Sequence, residues 1–253
     1  NLLDDLLLRV VIVGDEEVGS PEGKGVIESA VHGARLALVF EAGRAEDRII
    51  TRRKGTGSLE VTARGKAAHA ANGHQSGVNA IWALARFIDA AQALTDYDRG
   101  LTVNVGVVSG GEAKNTVPDQ AKASVDFRFE TLESGTTLLG ELRAAAARAA
   151  ESIPGAEVEV AGGMGRVPLE RTERSRLLME AYAREAERAG LGCEEAALIA
   201  GGSDASTTSA LGIPSIDGLG PRGKGFHTKD EQIEIASLEP KETELAWLLA
   251  TRP

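Results

Sequence analysis

Apolar and polar residues follow one pattern at the two ends of the chain and another in the middle. At the ends, the apolar residues form continuous runs, LRVVIVG at 8–14 and LALVFEA at 36–42, which is typical of parallel strands covered on both faces. Helices are predicted over about 22–32, 172–189 and 238–251. The ends of the chain therefore predict an α/β architecture.

The last third of the chain continues this alternation in shorter pieces. Thr172 or Ser175 is expected to cap its first helix. A short strand is predicted through Ala197–Ala200, a helix after the sequence GGSD, and a strand in PSIDGLG. Ser203 and Asp204 are expected to cap the helix that follows the glycine turn, so we interpret Ser203 as a positional residue and not as a catalytic serine.

The middle of the chain alternates as half-exposed strands do. SLEVTARGKA predicts a strand, followed by a helix over GVNAIWALARFIDAAQAL and strands over LTVNVGVVSGG and AKASVDFRFET. A second helix over LLGELRAAAARAAES and a last strand over AEVEVAG complete the order β-α-β-β-α-β, which is ferredoxin-like. We therefore predict a small α+β module at 52–165, inserted into a larger α/β domain formed by 1–51 and 166–253.

The composition excludes several classes of protein. The 253 residues are 42% hydrophobic, enough for one large domain or two smaller ones. A net charge of −10 leaves no basic stripe for phosphate contacts, which argues against a nucleic-acid partner. No apolar stretch has the roughly 18 residues of a membrane span. The single cysteine, Cys193, excludes an internal disulfide and favours a reducing compartment such as the cytoplasm.

Carboxylates follow both apolar runs of the N-terminal part. Glu16 and Glu17 come after the first run, and Glu41 directly follows the second. The carboxyl ends of parallel strands share one edge of a sheet, where ligands bind. Adjacent acids in a loop are commonly only solvated, but carboxylates clustered at matching strand ends repel one another and are costly to desolvate. A divalent cation removes that cost, so the pattern favours a metal site.

The four histidines lie in different contexts. His227, in GKGFHTKDE, follows the strand predicted in PSIDGLG and so lies at the same sheet edge, where an imidazole beside carboxylates is a typical zinc set. His69 lies among the small residues of GKAAHAANG, inside the inserted module. His32 ends a helix, which explains it without a function. His74 lies in a polar loop and is expected to be exposed.

Several motifs in a fixed order give the chain a family resemblance. GDEEVGS, FEAG and RRKGTGSLEVTARGKAAHA are followed by GGEAKNTVPDQAKASVDFR, GGMGRVPLE, GGSDAS and GFHTKDE. This series resembles the di-zinc exopeptidases and deacylases that include glutamate carboxypeptidase, aminoacylase and acetylornithine deacetylase, with glutamate carboxypeptidase the most similar. The resemblance covers nearly the whole chain. It implies a zinc-exopeptidase-like catalytic domain with an inserted dimerisation or lid domain, and a homodimer.

The resemblance also implies a role for each candidate residue. Glu16 would be the general base, Glu17 and His227 would bind one zinc, and Glu41 would bind the second. Two such metals share a water, lower its pKa and polarise the scissile carbonyl, while Glu16 would carry the proton from that water to the leaving amine. His69 would steady the oxyanion in the active site of the other subunit.

Residues that bind the substrate are implied in the same way. Asn115, Arg128 and Arg166 match positions that hold the substrate's carboxylate, and an arginine fork suits a carboxylate. Arg128 lies on a predicted strand, where a structural salt bridge explains it nearly as well. A C-terminal glutamate peptide, an N-acyl amino acid and a dipeptide all remain open as substrates.

The sequence departs from the family before GDEE. Complete members carry an H-x-D motif and a bridging Asp there, and these 253 residues contain neither, because Asp4 and Asp5 lack the glycine-rich context of the bridging residue. The N-terminal part of the catalytic domain is therefore expected to be missing, and the ligands present are expected to bind metal weakly. Cobalt and manganese are alternatives to zinc. The alternative function is a non-catalytic dimerisation or binding module, or a truncated inactive relative.

Overall fold

The computed structural model describes residues 7–251, which form two compact units. The first unit is built from both ends of the chain, up to Lys54 and from Val167 onward. The second unit is Gly55–Arg166. Within residues 7–251, no helix is both long enough and apolar enough to cross a membrane.

The described residues contain six α-helices and ten short or long strands. The helices are α1 (Gly23–Ala30), α2 (Ala80–Gln92), α3 (Leu132–Ser152), α4 (Glu173–Arg188), α5 (Ala205–Ala210) and α6 (Leu238–Thr251). The strands are β1 (Ala37–Leu38), β2 (Gly55–Arg64), β3 (Ala68–His69), β4 (Thr102–Gly110), β5 (Thr116–Val117), β6 (Gln120–Phe129), β7 (Glu157–Met164), β8 (Ser215–Ile216), β9 (Gly223–Lys224) and β10 (Gln232–Ile233). Short 3₁₀ segments lie at Glu16–Val18, Ala45–Asp47, His74–Ser76 and Ile235–Ser237.

The second unit is an antiparallel sheet combined with two helices. Its four long strands are ordered β4-β6-β2-β7, so β4 and β7 form the edges. The short strands β3 and β5 form a separate pair. Apart from that pair, the order along the chain is β2-α2-β4-β6-α3-β7, and the predicted β-α-β-β-α-β arrangement is confirmed.

The core of the second unit lies between one face of the sheet and the two helices. Alternate residues of β2, including Leu59 and Val61, are fully buried, as its sequence pattern predicts. Phe127 and Phe129 of β6 are also fully buried, with their ring centroids 5.9 Å apart. A Cβ atom at Gly57 would collide with the ring of Phe127, so the strand needs a glycine there.

Helix α3 begins at Leu132 and not at Leu138, where the predicted helix starts. The reason is a capping box that the apolar pattern does not reveal. Thr131 Oγ1 accepts the backbone N–H of Ser134, and Ser134 Oγ accepts the backbone N–H of Thr131.

The first unit is an α/β arrangement around a short parallel strand pair. β1 lies parallel to β8, with Ala37 opposite Ser215. Helices α4 and α6 pack together, and Tyr182 and Leu248 from these helices share a buried cluster with Ile216 of β8. Thr172 caps α4 through a second capping box with Ser175, which confirms the first of the two predicted caps.

The predicted strand at 8–14 is wrong. These residues form no strand and have no ladder partner within residues 7–251, and Ile12 is 90% exposed. Arg9 instead donates from Nη1 to the carbonyl oxygens of Ala30 (2.8 Å) and His32 (2.6 Å) at the end of α1. An apolar run becomes a strand only where a neighbouring strand accepts its backbone hydrogen bonds.

The predicted strand through Ala197–Ala200 is also wrong. This segment contributes only an isolated parallel bridge between Ile199 and Arg53. By contrast, the helix predicted at 238–251 agrees with α6, and the strand predicted in PSIDGLG contains β8.

Candidate functional site

The three consecutive acids after the first apolar run lie in one turn of the first unit. Asp15 Oδ2 accepts the backbone N–H groups of Glu22 (2.8 Å) and Gly23 (2.9 Å), and its carbonyl oxygen accepts the N–H of Ser20 (2.9 Å). Asp15 therefore holds the start of α1, a structural role that the sequence pattern did not assign. Glu16 and Glu17, on the 3₁₀ segment that follows, are left as the candidates for chemistry.

Glu17 lies beside His227. Glu17 Oε2 is 3.1 Å from His227 Nδ1, although the two residues are far apart along the chain. His227 follows Gly225 in a tight turn where both residues have positive φ, and its N–H donates to Glu231 Oε2 (3.3 Å). The structure thus brings together two of the predicted metal ligands, and both side chains are exposed.

Glu41 is half-buried and surrounded by other charges. Its pKa is raised to about 7, mainly by burial and also by the negative charges of Asp217, Glu16 and Glu17, while Arg53 opposes the rise. The predicted carboxylates therefore act on one another electrostatically in this unit. A positive charge among them would be stabilised.

Arg53 and Asp217 are site residues that the sequence interpretation missed. Arg53 Nε lies 2.6 Å from Asp217 Oδ2, and the two side chains are 4% and 0% exposed. Asp217 follows the buried residue Ile216, just as Glu41 follows an apolar run, so the same signal could have identified it. Its partner carries no comparable sequence signal.

The GGSD loop (Gly201–Asp204) is hydrogen-bonded both to Arg53 and to Ser20, which lies just after the turn of Glu16 and Glu17. Arg53 Nη1 donates to the carbonyl oxygens of Gly201 (3.1 Å) and Gly202 (3.2 Å). Ser20 Oγ donates to Asp204 Oδ1 at 2.6 Å, and both side chains are buried.

The predicted capping role of Asp204 is wrong, because its side chain makes no capping hydrogen bond to α5 and binds Ser20 instead. Ser203 Oγ accepts the N–H of Ala205 (3.0 Å), which agrees with a positional role.

The predicted ligands have the chemistry of a divalent-cation site, but there are too few of them to complete one. Glu17, Glu41 and His227 offer carboxylate and imidazole ligands. Among residues 7–251, however, no group of three or more His, Cys, Asp or Glu side chains is placed to hold a metal ion. Asp4 and Asp5 lie outside the described residues.

His69 and Asn115 lie on neighbouring segments of the second unit. His69 lies on β3 opposite Thr116 of β5, and the N–H of Ala70 donates to the carbonyl oxygen of Asn115 (2.9 Å). The exposed ring of His69 accepts from the N–H of Ala71 at Nδ1 (3.1 Å). In the neutral ring the hydrogen therefore lies on Nε2, which suits a donor.

The two candidate arginines of the second unit differ. Arg128 forms a two-pronged contact with Asp126 on the same strand, with Nε at 2.9 Å and Nη2 at 2.8 Å from the carboxylate oxygens. This contact supports the structural explanation of Arg128. Arg166 ends the unit, where its backbone pairs with Thr56 (2.9 Å), and its side chain is half-buried. His74 is exposed, as expected.

Comparisons with known proteins agree with the motifs. A family profile described as "Peptidase dimerisation domain" matches residues 51–154. Carboxypeptidase G2 of Pseudomonas sp. (strain RS-16) is 28% identical over 91% of this chain and 56% of its own length. Acetylornithine deacetylase of Myxococcus xanthus is 39% identical over 48% of this chain and 34% of its own length.

Among solved structures, the YXEP protein of Bacillus subtilis, described as a dinuclear metal binding peptidase from the M20 family, has the same fold. Its TM-score is 0.69 at 18% identity, covering 91% of this chain and 61% of that one.

The resemblance seen in the motifs is confirmed, because the chain carries a peptidase dimerisation domain and is similar to carboxypeptidase G2 and acetylornithine deacetylase. The chain spans about half the length of carboxypeptidase G2.

Proposed function

We propose that this chain supplies part of the active site of a metal-dependent hydrolase that cleaves an amide bond next to a free carboxylate. The contact between Glu17 and His227 carries the proposal, because it joins two common kinds of zinc ligand from distant parts of the chain. The charged surroundings of Glu41 support it as well, since a cation would relieve the repulsion there.

The acidic side chains and His227 would have different roles. Glu17 and His227 would hold one cation and Glu41 the other, with zinc as the metal and cobalt or manganese as alternatives. Bound cations would supply a water of lowered pKa and polarise the scissile carbonyl. Glu16 takes the proton of the attacking water and gives it to the leaving amine. The proposal needs further ligands, and the family's His and bridging Asp ahead of GDEE are the candidates.

Residues of the second unit would bind the substrate. Asn115 and Arg166 hold its free carboxylate, which suits a C-terminal glutamate peptide, an N-acyl amino acid or a dipeptide. Arg128 is the weaker candidate, because Asp126 already occupies its guanidinium. The single cysteine, Cys193, agrees with a cytoplasmic enzyme.

Metal content and one substitution test the proposal. Protein that also carries the family's upstream His and bridging Asp is expected to contain about two zinc ions per chain, and Glu16→Ala in that protein should lower kcat by about 10²-fold or more without loss of zinc. Glu22→Ala, at an exposed carboxylate beyond the same turn, is the control and should change neither. Zinc-free protein with no hydrolysis of N-acetylglutamate or of a dipeptide ending in glutamate would support the non-catalytic module instead.

We further propose that the chain forms a homodimer through one edge of the second unit's sheet. Edge strand β7 carries Glu157 and Glu159, and such charges discourage strand addition. Edge strand β4 has no charged residue, and its Val107 and Val108 are 62% and 55% exposed. Trp82 on the adjacent helix α2 is 54% exposed, which extends the apolar surface.

A charged residue placed on either edge strand distinguishes a dimer formed through β4 from a dimer formed through β7. Val107→Lys should shift the sedimentation profile from dimer to monomer at micromolar protein, whereas Glu157→Lys on the opposite edge should leave the dimer intact. A dimer that survives Val107→Lys would contradict this interface.

His69 is proposed to donate from Nε2 to the oxyanion in the partner's active site. His69→Ala should then lower activity while the protein stays dimeric. Mixed dimers of His69→Ala and Glu16→Ala subunits should regain activity, because one of the two sites receives both intact residues. If the mixture stays as inactive as its parents, each site uses its own His69.

A further inference from the structure

The turn that carries Glu16 and Glu17 is fixed at both ends. At its start, Asp15 accepts two N–H groups from the beginning of α1. At its end, Ser20 donates from Oγ to Asp204 Oδ1 (2.6 Å), and Ser20 and Asp204 are only 2% and 7% exposed. Between these points the turn is closed by the bond from the N–H of Gly19 to the carbonyl of Glu16 (2.9 Å).

The second anchor leads to the region of Glu41. Asp204 belongs to the GGSD loop, whose glycine carbonyls accept from Arg53. Arg53 in turn is paired with the fully buried Asp217, one of the charges that act on Glu41. A set of polar contacts therefore runs from the turn of Glu16 and Glu17, through the GGSD loop, to the buried Arg53–Asp217 pair, whose charges act on Glu41.

We propose that the Ser20–Asp204 bond is a positioning contact that holds the turn of Glu16 and Glu17 in register with the GGSD loop and so with Glu41. The side chain of Asp204 is used for this contact and not for capping α5. The proposal rests on the proposed function, because the register of these carboxylates matters only if they bind cations and move a proton. Outer-shell contacts of this kind typically change metal affinity about 10–100-fold.

Four variants of the protein test the contact. Ser20→Ala removes the donor but keeps a Cβ at the positive φ of +53°, so backbone strain is unchanged. Asp204→Ala removes the acceptor, and Asp204→Asn retains an amide oxygen that can accept the same hydrogen bond. Ser206→Ala on α5 is the matched control, because its hydroxyl is equally buried at 2% exposure and makes no hydrogen bond.

Two measurements are made on each variant: amide hydrogen exchange of Val18–Ser20, and zinc affinity by competition with a chromophoric chelator. Ser20→Ala and Asp204→Ala should speed the exchange about tenfold or more and weaken zinc about tenfold. Asp204→Asn and Ser206→Ala should stay within about threefold of the parent on both. A contact that only stabilised the fold would lower Tm without changing zinc affinity.

Exchange in Ser20→Ala or Asp204→Ala that matches Ser206→Ala would overturn the proposal. So would a failure of Asp204→Asn to restore the parent's protection and affinity. If the parent protein binds no zinc, the proposed hydrolase function fails, and the exchange comparison alone then decides whether the turn is positioned by Ser20 and Asp204.

Discussion

The two units of the chain differ in how completely their strands are paired. In the second unit, each of the four long strands is hydrogen-bonded to a neighbouring strand of the same unit. The apolar residues that the alternating pattern predicts as core are buried there. In the first unit, the apolar run at 8–14 has no ladder partner in the described part of the chain, and Leu7, Val10 and Ile12 are largely exposed. Equally apolar sequences therefore end in opposite environments, because burial depends on what packs against them.

The largest expected effect is at the core of the second unit. Phe127→Ala should lower the free energy of unfolding by about 3–5 kcal/mol, because it empties a fully buried ring position. Ile12→Ala in the first unit should change it by less than about 0.5 kcal/mol, because the side chain is already in water.

The two tryptophans allow each unit to be followed separately in urea. Trp82 lies in the second unit and Trp247 in the first, so Trp247→Phe leaves a probe for the former and Trp82→Phe a probe for the latter. A loss above about 1.5 kcal/mol for Ile12→Ala would show that the run at 8–14 is covered in the isolated protein, and the contrast between the units would then be wrong.

The next effect concerns pH and is confined to the first unit. The pKa of Glu244 is raised to about 7, mainly by burial; the Tyr182 hydroxyl and Lys241 oppose the rise, and the charge of Glu185 adds to it. A carboxyl whose pKa is higher in the folded than in the unfolded protein destabilises the fold when it ionises. Stability should therefore fall as the pH rises from about 4.5 to about 7, by on the order of 3 kcal/mol for this group.

Glu244→Gln should flatten that fall in the unfolding transition reported by Trp247, and Glu242→Gln, on the exposed side of the same helix, should leave it unchanged. Glu41 contributes a fall of the same sign, so some slope should remain in Glu244→Gln. An identical pH profile in the parent and Glu244→Gln would mean that Glu244 ionises as readily as in water.

How well the sequence predicted each part follows from the range of the interactions. The strands and helices of the second unit were predicted from local alternation and helical spacing, and the helix predicted at 238–251 agrees with α6. The strand at 8–14 was predicted by the same rule and failed, since a ladder is a contact between distant segments. The proximity of Glu17 and His227 was predicted from two strand ends at one sheet edge, but residues 8–14 form no strand, so the contact is present although the reason given for it was wrong.

The polar contacts of the site were much harder to predict. Arg53–Asp217 and Ser20–Asp204 each join residues separated by most of the chain, and no spacing rule relates them. Asp204 shows the difficulty best. Its position before a helix predicts a cap, but a buried serine offers it a stronger partner, so a tertiary contact overrides a local preference.

The smallest expected effect concerns the caps of two helices, for which the two units should not differ. Thr131 begins α3 in the second unit and Thr172 begins α4 in the first, and each closes a capping box with a serine three residues later. Because a cap is a local interaction, Thr131→Ala and Thr172→Ala should each cost about 1 kcal/mol in their own unit, and the two losses should agree within about 0.5 kcal/mol.

Thr137→Ala, at an exposed position inside α3, is the control and should cost nothing, since alanine favours a helix interior. Urea unfolding of the single-tryptophan proteins measures all three. If Thr172→Ala costs clearly more than Thr131→Ala, the start of α4 depends on contacts beyond its cap, and even local signals in the first unit draw on its tertiary structure.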